Sequence, residues 1–191
     1  MSQYSESSPS PYYAESVAQG RAYQAKNKVW RGKDCCKWAA SIRPYLEQNQ
    51  CATVLDYGCG KGEQYSTELF YDVHTDRNWR VQDYWRVAVT EYDPCVAGKD
   101  QLPDGQWDAV ISTQVLGCIP DADVRWVIKL MASRARKLLF IGILDTGRVK
   151  SSKILMRDRH AYRSERTRDW YWDRCKDIVN VPVILEFRDS E

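Results

Sequence analysis

The run Val54-Leu55-Asp56-Tyr57-Gly58-Cys59-Gly60-Lys61-Gly62 concentrates residues able to do chemistry. A short apolar stretch, residues 52–57, delivers the chain to a turn with three glycines in five positions. Glycine lets a backbone turn sharply and approach a ligand closely. A helix starting just beyond such a turn, near Glu63, would aim unpaired N–H groups at that ligand. A phosphate-gripping loop needs G-x-x-x-x-G-K-[ST], which the residues after Gly58 do not supply. The dinucleotide fingerprint G-x-G-x-x-G needs glycine at position 63, where Glu63 stands. Asp56, two residues before the first glycine, can accept a hydrogen bond from an ammonium group or orient the loop. That chemistry suits a cationic amino-acid ligand better than a pyrophosphate. The structural alternative is a tight turn with no ligand, but three glycines carry an entropy cost that a plain turn need not bear.

Residues 54–62 resemble the first motif of the class I S-adenosylmethionine-dependent methyltransferases, V-L-D-x-G-C-G-x-G, at every fixed position. The resemblance implies a Rossmann-like α/β fold and S-adenosyl-L-methionine as cofactor. It places the loop residues Asp56, Tyr57, Gly58, Cys59, Gly60 and Gly62 around the cofactor's methionine part. It also implies an acid at the end of the second strand that binds the ribose hydroxyls, and Asp93, followed by Pro94, occupies that place. Glu91 is the alternative, and an exposed Asp opening a turn is the structural reading. Asp100, in Asp100-Gln101-Leu102-Pro103, stands where relatives carry an acid near the adenine, and reads equally as a plain loop acid. Residues 108–120 are similar to the fourth motif of small-molecule members at Asp108, Val110, Val115, Leu116, Ile119 and Pro120. They depart from it at Gly117-Cys118, which replace the usual Glu-His pair, and Cys118 reads as a packing residue. The resemblance puts Ser112, Thr113 and Gln114 beside the transferred methyl group, where Gln114 could offer a hydrogen bond. Within residues 108–120 neither the D/N/S-P-P-Y/F motif of amino-methylating DNA enzymes nor the Pro-Cys pair of cytosine-C5 enzymes occurs.

Residues 148–174 hold nine Lys or Arg against four acids, a local net charge of +5. They read as a solvated face or as a site for an anionic acceptor, such as a nucleotide, a phosphate ester or an RNA end. His160 and Tyr162 lie in this stretch and are the candidates for a general base toward a hydroxyl or amine acceptor. The order Gly147-Arg148, His160, Trp170-Tyr171-Trp172 is similar to that in small methyltransferases of tailed bacteriophages.

Strands alternating with helices must carry these residues. The pattern gives helices at 12–28 and 33–48, the second with Pro44 inside it, where it should kink or end the helix. Strands follow at 52–57, 86–92, 107–113, 137–144 and 181–187, with helices at 63–72, 121–135 and 165–178. This alternation predicts a doubly wound, mostly parallel sheet with helices on both faces. Thirteen residues separate Pro94 from Asp108, too few for a further helix and strand, so the third-strand region should be shortened and one sheet edge trimmed. Residues 1–11 read as a disordered tail and 12–191 as a single domain, with the helices of 12–48, bearing Tyr12, Tyr13, Tyr23 and Trp30, as a lid.

The 191 residues suffice for one domain with a real core. A net charge of +2 gives no bulk argument for nucleic acid, which is therefore an unfavoured partner next to a small-molecule or nucleotide-like acceptor. No stretch reaches 18 apolar residues, and the first residues lack an apolar signal-peptide core. Seven Cys without a C-x-x-C pair and only two His argue against a zinc framework. They read as reduced, mostly buried thiols of a cytoplasmic protein. The resulting expectation is a methyltransferase. The rivals are a binding module that has lost turnover with the Glu-His pair, an RNA methyltransferase using the basic stretch, and, more remotely, an NAD-dependent oxidoreductase.

Overall fold

The computed structural model describes residues 4–27, 30–145 and 166–189. In chain order it contains α1 (Pro11–Lys26), α2 (Asp34–Gln48), β1 (Thr53–Tyr57), α3 (Glu63–Ser66), β2 (Phe70–Asp72), β3 (Arg77–Trp79), α4 (Val81–Trp85), β4 (Ala88–Tyr92), β5 (Trp107–Thr113), α5 (Asp121–Arg134), β6 (Ala135–Asp145), α6 (Arg168–Cys175) and β7 (Val183–Asp189). Five strands form one sheet in the order β4-β1-β5-β6-β7, all parallel. The chain goes outward from β1 to β4, returns to the other side of β1 for β5, and continues through β6 to β7. The winding direction therefore reverses between β1 and β5, and the glycine turn opens at that switch point.

Period-two alternation explains how the central strands are buried on both faces. Val54, Ala109, Ile111, Leu138 and Phe140 pack against α2 and α4 through Trp38, Ile42, Leu46, Val81 and Trp85. Leu55, Tyr57, Val110, Leu139, Ile141 and Ile143 pack against α5 and α6 through Val124, Val127, Ile128, Met131, Tyr171 and Cys175. At the amino end of the sheet the Asp108 carboxylate accepts from the N–H groups of Ala52 (2.8 Å) and Thr53 (3.2 Å) and pairs with Lys137 (3.4 Å). These bonds hold its pKa below the usual carboxylate range. Asp108 thus fixes strand register at the end of the sheet opposite the glycine turn.

Several expectations change. The helix expected over 63–72 is one turn, Glu63–Ser66, followed by the antiparallel hairpin of β2 and β3. Phe70 and Trp79 of that hairpin pack on Tyr84 of α4 (centroids 5.0 and 5.9 Å), and this aromatic cluster outweighs local helix propensity. Helix α2 runs through Pro44 to Gln48 rather than ending early. Residues 93–106 carry neither helix nor strand, and β4 is an edge of the sheet, as the short spacing required. The expected tail is anchored at its inner end. Ser10 is fully buried, caps α1 by accepting from Tyr13 N (3.1 Å), and donates to Asp123 of α5 through its N–H (3.0 Å) and hydroxyl (2.5 Å). Of the seven cysteines, Cys35, Cys59 and Cys175 are buried and none is in a disulfide. Cys118 is exposed, so it is not the packing residue expected. Among the described residues no helix is long and apolar enough to cross a membrane.

Candidate functional site

The turn after β1 is built from left-handed residues. Gly60 (φ +60°) and Gly62 (φ +73°) adopt conformations that L side chains rarely take. A Cβ on Gly60 would lie 2.5 Å from Trp30 O, and one on Gly62 would fall on the ion pair of Glu91 and Lys99. The glycines therefore admit neighbouring chain. Gly58 N and Cys59 N donate to Tyr92 O (2.7 and 3.0 Å), and Gly60 N donates to Asp93 Oδ2 (2.9 Å). Lys61, Glu63 and Gln64 donate to the carbonyls of Trp30, Arg31 and Gly32 (2.9, 3.0 and 2.8 Å). The N–H groups expected to be open to a ligand are satisfied within the protein by the segment leading into α2.

What the turn leaves unsatisfied are side-chain atoms. Asp56 is 1% exposed. Its Oδ2 accepts from Gln64 Nε2 and Tyr65 OH, both at 2.8 Å, while Oδ1 and the neighbouring Gln64 Oε1 have no hydrogen-bond partner. Burial pushes the Asp56 pKa up to about 7; Glu91 and Asp93 add to the rise, and Tyr65 and Lys99 oppose it. Two buried acceptors without donors, one of them a carboxylate, have the chemistry to accept from a group that carries several N–H bonds. The thiols of Cys35 and Cys59 are pushed up, chiefly by burial with Asp56 adding, so both stay protonated and neither is an activated nucleophile.

Asp93 sits at the end of β4, 9% exposed, and binds Gly60 N through Oδ2 and Cys95 N (2.8 Å) through Oδ1. It braces the glycine turn, and each oxygen retains a lone pair. Burial raises its pKa and the two N–H groups oppose that rise. Helix α1 crosses this region. Arg21 donates to Pro94 O (2.8 Å) and pairs with Asp100 (3.3 Å), and Gly20 packs on the Cys95 thiol. Asp100, expected at an adenine, is thus an ion-pair partner of α1. Tyr13 packs edge-on against Trp126 of α5 (centroids 5.1 Å). The inner face of α1 is Ser16, Gly20 and Gln24, and Ser16 Oγ and both amide atoms of Gln24 are buried without partners.

At the end of β5, Ser112 is 1% exposed with an unpartnered hydroxyl, and Thr113 is buried. Gln114 takes φ +62°, donates its N–H to Gly142 O (2.8 Å), and buries an unpartnered Nε2. A non-glycine residue held in this conformation stores strain, a feature that concentrates at functional sites. Gln114 opens on a cleft lined by Leu116, Gly117, Arg168, Tyr171 and Phe187. Its enclosed interior is about 30 Å³, room for one water rather than a cofactor. Arg166, its side chain 3% exposed, holds the turn at 116–119 in place by donating to Leu116 O (2.7 Å) and Ile119 O (2.6 Å) and pairing with Asp121 (2.5 Å).

The structure therefore brings Asp56, Tyr57, Gly58, Cys59, Gly60, Gly62, Asp93, Pro94, Ser112, Thr113 and Gln114 to the carboxyl edge of the sheet around the switch point. Tyr57 packs against Tyr92 with the rings tilted (centroids 4.9 Å), and burial pushes its phenol well up. His160, Tyr162 and Gly147-Arg148 lie outside the described residues. Sequence reasoning missed Gln64, Tyr65, Ser16, Gln24 and Arg166. The signal for the first two was present, since polar residues in the opening turn of a helix beside a buried strand acid are placed to face it. Comparison with known proteins returns no matching family model, no matching curated protein and no matching solved structure.

Proposed function

We propose that this chain binds S-adenosyl-L-methionine at the carboxyl edge of its sheet and transfers its methyl group to a small-molecule or nucleotide-like acceptor. The observation that carries this reading is the set of buried, unpartnered polar atoms around the switch point: Asp56 Oδ1, Gln64 Oε1, Ser112 Oγ and Gln114 Nε2. Buried polar groups are nearly always paired, so such a set calls for a polar ligand. Asp56 and Gln64 offer acceptors to the ammonium of an amino-acid end, and Asp93 has lone pairs left for ribose hydroxyls. When bound, the cofactor supplies a methyl group already activated on a sulfonium, so the protein's task is to position the acceptor. Gln114, held rigidly at the mouth of the cleft, donates a hydrogen bond to orient that acceptor. Arg168 with Tyr171 and Phe187 favours a planar, anionic acceptor. The segment 30–32 and α1 overlie the glycine turn, so entry requires them to move aside.

A second reading, binding without turnover, is favoured by one feature. The described residues lining the cleft include no acid and no imidazole, and Gly117 stands in the cleft wall. Calorimetric titration of S-adenosylmethionine and S-adenosylhomocysteine, against NAD and ATP, separates the outcomes. Micromolar binding of the first pair, weakened in Asp56→Asn, supports the cofactor reading, and binding of neither refutes it. Transfer of labelled methyl to anionic aromatic acceptors then decides between catalysis and binding alone.

A further inference from the structure

A strand at the edge of a sheet presents a row of unpaired N–H and C=O groups, which chains commonly blunt with bulges, prolines or outward charges. β7 runs from Val183 to Asp189 in unbroken register with β6, and among the described residues β6 is its one neighbour. The charges within it do not guard the edge. Glu186 and Arg188 pair with each other (3.1 Å), and Arg188 reaches over the Trp38 ring to donate to Lys37 O and Ser41 Oγ of α2. Both are therefore spent on the α2 face. The opposite edge, β4, is a shorter strand whose loop turns back on it, Asp93 N donating to Lys99 O (3.0 Å).

The ladder fixes which groups of β7 face outward. Leu139 N donates to Pro182 O (3.0 Å), and Leu139 stands opposite Val183. In a parallel pair this parity turns the backbone of Ile184, Glu186 and Arg188 toward β6. The N–H and C=O of Val183, Leu185 and Phe187 are left pointing away. The side chains of those three residues all lie on the α6 face and are half-buried. Tyr171 of α6 packs on Phe187 (centroids 6.0 Å). Trp172 of α6 and Val179 of the connection into β7 add exposed apolar surface to the same unit.

The pattern of β7 is complementary to itself. Two copies related by a two-fold axis through Leu185 pair antiparallel, with Val183 opposite Phe187 of the second copy and Leu185 opposite Leu185. Each outward N–H of the three then meets an outward C=O. Their side chains form one apolar row on the α6 face, and Ile184 lies opposite Glu186 on the other. Moving the axis to Glu186 would set that carboxylate against its own copy, an unfavourable like-charge pair. Moving it to Ile184 would carry Phe187 past the end of the facing strand.

We propose that this chain is a two-fold dimer joined edge to edge through β7, with one sheet continuous across both copies. Phe187 also lines the cleft beside Gln114, so the interface reaches the wall of the candidate site. The proposal does not depend on the cofactor reading.

The test is size-exclusion chromatography with light scattering of the full chain up to about 100 µM, with amide hydrogen exchange followed residue by residue by NMR. The expected mass is twice that of the monomer. The Val183, Leu185 and Phe187 amides should exchange as slowly as those of Ile184 and Glu186, at least about a hundredfold slower than open amides. Leu185→Pro deletes one outward N–H and no bond to β6, and should run as a monomer with an unchanged circular dichroism spectrum. A wild-type monomer over the whole range, or an assembly larger than a dimer, overturns the proposal. A folded Leu185→Pro that is still dimeric overturns it too. If that variant does not fold, the wild-type exchange pattern decides. Protection along all of 183–187 in a dimer upholds the edge pairing, and protection that alternates, with the three outward amides fast, overturns it.

Discussion

Asp56→Asn should stabilise the ligand-free protein at neutral pH and weaken it as a binder. The wild-type carboxyl has a folded pKa of about 7 against an ordinary value of 3.8, with burial as the main cause. An acid whose pKa rises on folding contributes stability that is fully present below about pH 4 and is lost as pH climbs through 7. The roughly three-unit gap corresponds to about 4 kcal/mol between those limits. Asparagine stays neutral throughout. It keeps an oxygen to accept from Gln64 and Tyr65, and places its Nδ2 where Oδ1 has no partner to lose. The difference in stability, variant minus wild type, should be about 1 kcal/mol at pH 4.5 and grow toward about 4 kcal/mol by pH 8. For a chain of this size that is a rise of roughly 10 °C in melting temperature. Thermal melts of both proteins at half-unit intervals from pH 4.5 to 8.5, followed by circular dichroism, measure the difference, and the subtraction cancels titrations elsewhere. S-adenosylhomocysteine binding at pH 8 should move the opposite way, because the ammonium loses a charged acceptor. A difference that does not change with pH, or an Asn variant less stable at pH 8, would refute the claim that Asp56 is held ready for a cation at the expense of the empty fold.

Gly62→Ala should lower stability by at least about 2 kcal/mol in urea unfolding, because the new methyl combines a left-handed backbone with displacement of the Glu91–Lys99 pair. Gly98→Ala, also left-handed (φ +82°) but with nothing within 4 Å of its Cβ, should cost only about 1 kcal/mol and serves as the control. Ser10→Ala removes both the cap of α1 and a donor to buried Asp123, and should cost about 1–3 kcal/mol while speeding hydrogen exchange over residues 11–26.

The readable parts of the chain were those whose neighbours are close in sequence. Residues 107–113 and 121–134 matched the pattern closely because a strand buried on both faces and an amphipathic helix each declare themselves in a short window. The segment 63–72 misled because Phe70 leaves the helical pattern to pair with Trp79 in a hairpin and pack with it on Tyr84 of α4, a preference set by those aromatic contacts rather than by helix propensity. Pro44 was likewise overruled, since the packing of Trp38, Ile42 and Leu46 holds α2 together across the missing N–H.

By itself the sequence determined the alternating α/β pattern, the glycine turn after β1, the acid at its base and the shortened stretch between Asp93 and Trp107. Each is a matter of residue type at fixed spacing along one continuous piece of chain. Tertiary structure alone decided which polar atoms are satisfied. The turn's N–H groups are engaged by residues 30–32, Asp93 braces the turn, Asp100 pairs with Arg21, and Asp56, Ser112, Gln114 and Gln24 are left with unpartnered buried atoms. Hydrogen-bond satisfaction depends on partners brought together from distant parts of the chain, so it exists only once α1, the sheet and the turn have met.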